Sequence, residues 1–438
     1  MTWINFNLVH WNTKNVIEQD VNHYYSYLPV FFYEQDLSLS FLYDTLHVKQ
    51  EQRYYAPNKA PNGNHVIKMT MGMAMTYLPF FALADIWARL CGYDVSGFSE
   101  PYHFAVLFAT LFYFLIGLYF LSKLLNPHFS QHVISLVLIC ICYGTNVMYY
   151  LTLGAGMAHI TNFGLIAMFL YYSIRWHTKK SFALAIGIGC LAGLIILIRP
   201  VNILLFIFFL VYKTNSLKLL KEKIKLFRGK KIEMLLMATF AFFILLPQLL
   251  YWKHYTGHYL FNSYVDQGRF YFDRPHILDG LFSFRKGWLI YSPLMSFSLV
   301  GIYLLRKKLR GFYLPILLLF FTYVYVVFSW WCWWYGGSFG QRVLIDIYPV
   351  LAIPLAVFFT RVESMKPLLK KVIYTVTLLL ILLNLFQTIQ AKYNIIHYDS
   401  MTRKNYLEVF FTITKKADRE KYLQHPDYGK ALRGEDEY

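Results

Sequence analysis

Apolar residues in this chain fall in blocks of about twenty, separated by short basic segments, and not at the three-to-four-residue spacing of an amphipathic helix. Blocks of that length match helices that cross a hydrocarbon layer. The pattern predicts spans near residues 103–123, 132–151, 156–175, 181–199, 201–213, 232–252, 287–305, 312–334, 345–361 and 372–390. The run over 181–212 is too long for one crossing and is broken at Arg199 and Pro200, where the ring removes a donor and restricts the residue before it. It reads as a kinked hairpin with Arg199 at its tip. The stretch 69–90 is long enough to span, but it carries Pro79, Asp85 and Arg89 and reads as a re-entrant or interfacial helix. The expected fold class is an all-α polytopic membrane protein of about ten to eleven transmembrane helices. Its expected organisation is an outer-face N-terminal loop region over 1–101, a transmembrane helical domain over 102–390 and a polar outer-face tail over 391–438.

The basic residues test this count. One alternate set of inter-block segments holds twenty Lys and Arg, eight of them between Lys213 and Lys231. The other set holds seven, among them Arg199, Arg285, Lys286 and Arg342. The positive-inside rule places the first set in the cytoplasm. Parity then gathers the residues before about 102, the loop 253–286, the loop 335–345 and the tail after Ala391 on the opposite face. The sequence shows no internal repeat of the kind found in many secondary transporters.

Composition agrees with the pattern. The 438 residues are 57% hydrophobic, 20% aromatic and only 15% charged, which excludes an ordinary soluble domain. The net charge of +18 sits in the inter-block segments, where it faces anionic headgroups, so nucleic acid is not implied as a partner. Cys140, Cys142, Cys190 and Cys332 lie inside apolar blocks without paired spacing and argue for neither a disulfide frame nor a metal site. The first twenty residues have neither a basic start nor an apolar run, so they do not form a signal peptide.

Candidate chemistry collects on the face expected to be outer. Glu18 and Asp20 are followed closely by His23, Tyr24 and Tyr25. A carboxylate held near a membrane surface among hydrogen-bonding aromatics can deprotonate a hydroxyl or hold a divalent metal ion; the competing reading is a solvated terminus. The same face holds His65, Lys68, Arg199, Arg285, Lys286 and Arg342. Arginine near a membrane is costly unless it meets an anion, and its planar fork suits a phosphate; the competing reading is a side chain that snorkels to headgroups. Arg342 follows Gly336, Gly337 and Gly340, which permit a tight loop. Trp330, Trp331, Trp333 and Trp334 read first as an aromatic belt, although sugars bind such faces and four tryptophans in five helical positions cannot all face lipid. His254 and His258 have metal-pair spacing, but Gly257 and the lack of an acidic partner favour an interfacial role. The tail either packs over an outer cavity or is a solvated appendage, and the sequence leaves both open.

At these residues the chain resembles the GT-C superfamily of glycosyltransferases, which includes protein O-mannosyltransferases and lipid A aminoarabinose transferases. It looks most like bacterial members of that superfamily. The resemblance is carried by Glu18-Gln19-Asp20 with Tyr24-Tyr25, by the segment 68–81 with Gly72 and Pro79, by Gly287-Trp288-Leu289-Ile290-Tyr291-Ser292-Pro293, and by Trp333 through Arg342 ahead of Tyr348-Pro349. It implies transfer of a sugar from a polyprenyl-phosphate carrier to a glycan, lipid or protein acceptor on the outer face of a bacterial plasma membrane. Asp20, or else Glu18, is implied as the base. Arg342 with Arg199, Lys68, Arg285 and Lys286 is implied to hold the donor phosphate, and His23, Tyr24, Tyr25, His65, Trp333 and Trp334 to contact substrate. Some members use a divalent metal ion and others do not. Members of the family carry a first membrane helix ahead of the acidic residue, whereas only nineteen residues precede Asp20 here, so an upstream apolar segment is expected. A transporter or flippase of an anionic lipid-linked sugar would use the same basic residues without breaking a bond. A purely structural membrane scaffold leaves the grouping of acid, arginines and aromatics unexplained.

Overall fold

Within hydrocarbon, backbone amides and carbonyls have no partner but each other, and a helix satisfies them along its own length. The computed structural model describes residues 16–40, 57–179, 181–414 and 417–435, and the chain is 70% helical. Its one described sheet is a two-residue pairing of Asn58–Lys59 with His65–Val66. The principal helices are α1 (Gln19–Tyr25), α2 (Gly72–Cys91), α3 (Glu100–Leu125), α4 (Gln131–Tyr143), α5 (Ala158–Thr178), α6 (Phe182–Ile198), α7 (Lys231–Thr256), α8 (Arg310–Phe328), α9 (Tyr348–Glu363) and α10 (Pro367–Lys392). Among the described residues five stretches are long and apolar enough to cross a membrane: α3, α7, α8, α10 and the continuous run Arg342–Glu363, which includes α9. That run is the central post, with 94% of its most apolar stretch buried, whereas α7 at 17% presents most of its surface outward.

Several expected spans are interrupted, each for a local reason. The block 132–151 stops at Tyr143 and resumes at Val147–Leu151, because Asn146 is fully buried and its polar groups are drawn elsewhere. The Asn146 amide donates to Ser292 Oγ at 3.2 Å, and its side-chain oxygen accepts from the Tyr348 hydroxyl at 2.9 Å. The block 287–305 splits into Trp288–Tyr291, Pro293–Met295 and Ser296–Leu304, since Pro293 bars Ser292 from continuing a helix. The block 312–334 ends at Phe328, so the four tryptophans lie in irregular chain beyond α8. The stretch 69–90 forms the unbroken helix α2, which packs along α3 and turns Leu83, Ile86 and Leu90 outward. At Arg199 the backbone is extended, and the hairpin expected there is a break between α6 and the segment Pro200–Val211. Gly189 and Gly193 let α6 approach α7 closely: a Cβ on either would stand 2.5 Å and 2.7 Å from the carbonyl oxygens of Met237 and Ala241.

The loops sort into two groups in space. At one end, the Lys213 amide donates to the Gly311 carbonyl at 2.9 Å, and His132, Lys370 and Tyr374 surround Glu363. At the other, Asn58 donates to the Ser263 carbonyl at 2.7 Å, the Tyr271 hydroxyl to Leu432 at 2.7 Å, and the Ser338 amide to Tyr398 at 3.1 Å. The segments that the charge count assigned to a common face therefore meet at one end of the bundle.

Candidate functional site

The chain enters this end at Val16 and Ile17, both buried, whose amides donate to His103 Nδ1 of α3 at 3.3 and 3.2 Å. This anchor fixes the start of α1, whose buried side carries Val21, Tyr24 and Tyr25, with Tyr25 bonded to the Gly97 carbonyl at 2.6 Å. Asp20 lies half-buried, and its Oδ2 accepts from Arg342 Nη2 at 2.9 Å.

Arg342 is delivered by the loop 336–342. Gly336 and Gly340 take positive φ, +62° and +57°, which a side chain resists, and a Cβ at Gly340 would also stand 3.1 Å from the Tyr291 Cβ. The Phe339 amide donates to the Tyr150 hydroxyl at 3.0 Å, and the Asn146 side chain donates to the Phe339 carbonyl at 3.4 Å. Among the described residues, Arg342 directs one nitrogen to Asp20 and another only toward the Met157 sulfur at 4.0 Å, and its buried Nε has no hydrogen-bond partner. The guanidinium therefore keeps donors available for an anion.

Two cavities meet at this ion pair. The larger, about 710 Å³, is lined by Asp20, Tyr24, Lys68, His159, Arg199, Tyr264, Trp330, Trp331, Tyr335 and Arg342, among others. The smaller, about 200 Å³, is lined by Glu18, Asp20, Tyr149, Tyr150, Thr152, Ser338 and Arg342, among others. Asp20 and Arg342 belong to both walls. An apolar groove of about 430 Å³ between α2 and α7, lined by Tyr27, Phe31, Met71, Met75, Leu250 and Tyr251 among others, runs beside the larger cavity, since Thr70 lines one and Met71 the other.

Beneath the larger cavity lies a buried polar network that the sequence reading missed. Asp346 is fully buried, with Oδ1 2.8 Å from His159 Nδ1 and Oδ2 accepting from Asn202 at 2.9 Å and Asn162 at 3.2 Å. The Arg199 Nε lies 3.8 Å from the same carboxylate, and its Nη1 lies 3.1 Å from His159 Nε2. The same Arg199 nitrogen lies 2.8 Å from His159 Nδ1, and because a carboxylate only accepts, the contact to Asp346 assigns a proton to Nδ1. A lone acid inside an otherwise apolar block was the available signal.

Charge around Asp20 favours its ionised form. Burial alone raises its carboxyl, but Arg342, with His23 and Lys68 beyond it, outweighs burial and holds it below its ordinary value. Burial and Lys68 push the His23 imidazole below its usual value, against the pull of Asp20. Lys68 donates to Gln267 at 3.3 Å and sits 5.2 Å over the Tyr264 ring.

The other expected site residues are placed differently. Glu18 is exposed and lines the smaller cavity alone, while His23, Tyr25 and His65 do not line either cavity. Arg285 and Lys286, expected at the donor phosphate, are buried behind the loop 336–342 and line neither cavity. Arg285 donates to the Asp399 and Gln424 carbonyls at 3.0 and 3.1 Å, and Lys286 to the Ser338 and Tyr398 carbonyls, so both tie the tail to the loop. Burial drives the Lys286 ammonium well below its usual value. Trp333 and Trp334, expected against substrate, are fully buried, and Trp330 and Trp331 face the larger cavity in their place. α8 ends at Phe328, so the tryptophans follow irregular chain and not the helical rotation that a span over 312–334 implied. α7 ends at Thr256, so His258 lies outside the helix and forms no helical pair with His254. The tail packs over the cavity: Tyr428, Gly429 and Leu432 complete its wall.

Arg342 bonds Asp20 through Oδ2, and among the described residues Asp20 is not part of a cluster of three or more His, Cys, Asp or Glu ligands. No family model, curated protein or solved structure matches the chain.

Proposed function

We propose that this protein is a multi-pass membrane glycosyltransferase of GT-C type, with ten to eleven spans and its site on the non-cytoplasmic face, that moves a sugar from a polyprenyl-phosphate donor to an acceptor hydroxyl. The observation that carries the reading is the Asp20–Arg342 pair on the wall shared by the two cavities. In this reading the larger cavity takes the donor, whose phosphate meets Arg342, Arg199 and Lys68 and whose sugar lies against Trp330 and Trp331. The lipid tail leaves along the apolar groove between α2 and α7. The acceptor enters the smaller, polar cavity.

The chemistry is a single displacement. The acceptor O–H gives its proton to Asp20 while its oxygen attacks the anomeric carbon from the side opposite the phosphate. The carbon–oxygen bond to phosphate breaks, its electron pair stays on the leaving polyprenyl phosphate, and the anomeric centre inverts. Arg342 and Arg199 face the charge that develops on the phosphate, in a site largely screened from water. A phosphate on Arg342 competes with Asp20 for the guanidinium, so donor binding strengthens the base that the free enzyme holds weak.

The test is to incubate the purified protein with radiolabelled polyprenyl-phosphate sugars and compare it with Asp20→Asn. Release of polyprenyl phosphate by wild type and its loss in the variant is the expected result. Donor bound equally by both and turned over by neither moves the assignment to a transporter or flippase of the same anionic lipid-linked sugar.

A further inference from the structure

Apolar and basic residues separate cleanly around the helix Leu217–Gly229, which lines neither cavity and lies at the end of the bundle where Lys213 meets Gly311. Ser216 starts this helix by accepting from the Leu219 amide at 3.3 Å. Phe227 docks it on the bundle, with its ring centre 5.8 Å from that of Phe209 and 6.2 Å from that of the fully buried Trp176. Lys223 is buried on the same side, its ammonium 5.7 Å over the Phe227 ring and 5.8 Å over the Tyr212 ring. These contacts fix which side of the helix faces away from the protein.

Two parallel stripes are left on that side. Leu217, Leu220 and Ile224 recur at three- and four-residue spacing and are 79%, 42% and 45% exposed. Lys218, Lys221, Lys225 and Arg228 recur at the same spacing one position further on, and all four are exposed. Glu222 is the one acid in the helix. An apolar stripe beside a basic one fits a surface that is apolar at one depth and anionic at the next, as in a leaflet that holds acidic phospholipid. The helix leads directly into α7, the least buried of the five long apolar stretches, whose first turns expose Ile232 and Leu235. Its apolar stripe thus adjoins, along the chain, the start of the most outward-facing span. A soluble acidic partner would meet the basic stripe but has no such continuity with the apolar one.

We propose that the helix Leu217–Gly229 lies along the leaflet surface and binds acidic phospholipid, with Leu217, Leu220 and Ile224 among the acyl chains and Lys218, Lys221, Lys225 and Arg228 on the headgroup phosphates. Net charge gives any basic loop a diffuse attraction to anionic headgroups. Here the docked helix holds four basic side chains in one row at a fixed height above an apolar edge, so phosphate and acyl chain of one lipid are met together.

The experiment titrates the intact detergent-purified chain with phosphatidylglycerol or phosphatidylcholine and reads bound lipid by native mass spectrometry. Wild type is expected to bind the acidic lipid more tightly, and the difference to shrink as salt screens it. Combining Lys218→Gln, Lys221→Gln, Lys225→Gln and Arg228→Gln is expected to lower that preference at least about fivefold. A control removes the same number of charges at Arg306, Lys307, Lys308 and Arg310, exposed at the same end of the bundle, and is expected to keep the preference. All eight side chains are exposed, and unchanged melting temperatures in neutral detergent show that both variants fold. An undiminished preference in the helix variant overturns the site and leaves the face to a protein partner. Equal losses in the two variants also overturn it, since net charge then suffices. The readout needs no turnover, so it stands or falls apart from the glycosyltransferase reading.

Discussion

Asp20 and Arg342 are 322 positions apart in the chain, yet Oδ2 of one and Nη2 of the other meet at 2.9 Å on the boundary that the two described cavities share. The contact places a carboxylate that can take a proton beside a guanidinium that can hold a phosphate.

Arg342→Lys keeps the charge but loses the planar fork, which in the proposed reaction is contested by Asp20 and the donor phosphate. If the protein is the proposed transferase, transfer falls by about 10²–10³ in kcat with a smaller change in donor affinity. Single-turnover kinetics with labelled donor separates the two effects.

The Asp20 carboxyl is held below its ordinary value, Arg342 overcoming the opposing effect of burial. Its contribution to stability is therefore complete above the unfolded value of about 3.9 and disappears as pH falls through the lowered folded value. Melting temperatures of wild type and Asp20→Asn, measured against pH, should differ by a constant amount from about pH 5 upward and converge only in stronger acid. A gap that closes as pH rises from 5 to 8 contradicts the assignment.

Asp346→Asn preserves shape while leaving Arg199 without a counter-charge and His159 Nδ1 without its carboxylate acceptor in a buried network. Removing one partner of such a pair costs about 3–5 kcal/mol. Loss of stability in denaturant, together with weaker donor binding, is expected; a variant as stable as wild type shows that Asp346 does not hold Arg199 in place.

Trp331 and Trp333 are two positions apart and predict opposite phenotypes. Trp333 is fully buried, so Trp333→Ala should cost about 3–5 kcal/mol of stability. Trp331 lines the larger cavity, so Trp331→Ala should fold normally and raise the donor KM. Thermal unfolding and initial rates on both variants check the contrast.

The helical fold was legible because the hydrocarbon interior leaves the backbone little choice, and α3, α5, α6, α7 and α10 fall within a few residues of their expected limits. Asp20, Arg342, Arg199 and Lys68 were legible as charges on one predicted face, and they do line one cavity. Arg285, Lys286, Trp333 and Trp334 have the same residue types in the same predicted loops, and nothing in the sequence distinguished them. What separates them is depth: Lys286 reaches the Ser338 and Tyr398 carbonyls behind the loop, where no substrate can follow. Asp346 escaped notice because its partners, His159, Asn162, Arg199 and Asn202, come from helices distant in the chain.

By itself the sequence determined that the chain is helical, where most apolar blocks begin and end, and which loops share an end of the bundle, because hydropathy and charge act residue by residue against a layered solvent. Only the tertiary structure decided that Asp20 pairs with Arg342, that Trp330 and Trp331 face the cavity, and that the tail closes it. Those outcomes depend on breaks at Gly144, Pro293 and Phe328 and on directional bonds to buried groups such as Asn146, whose partners lie more than a hundred residues away.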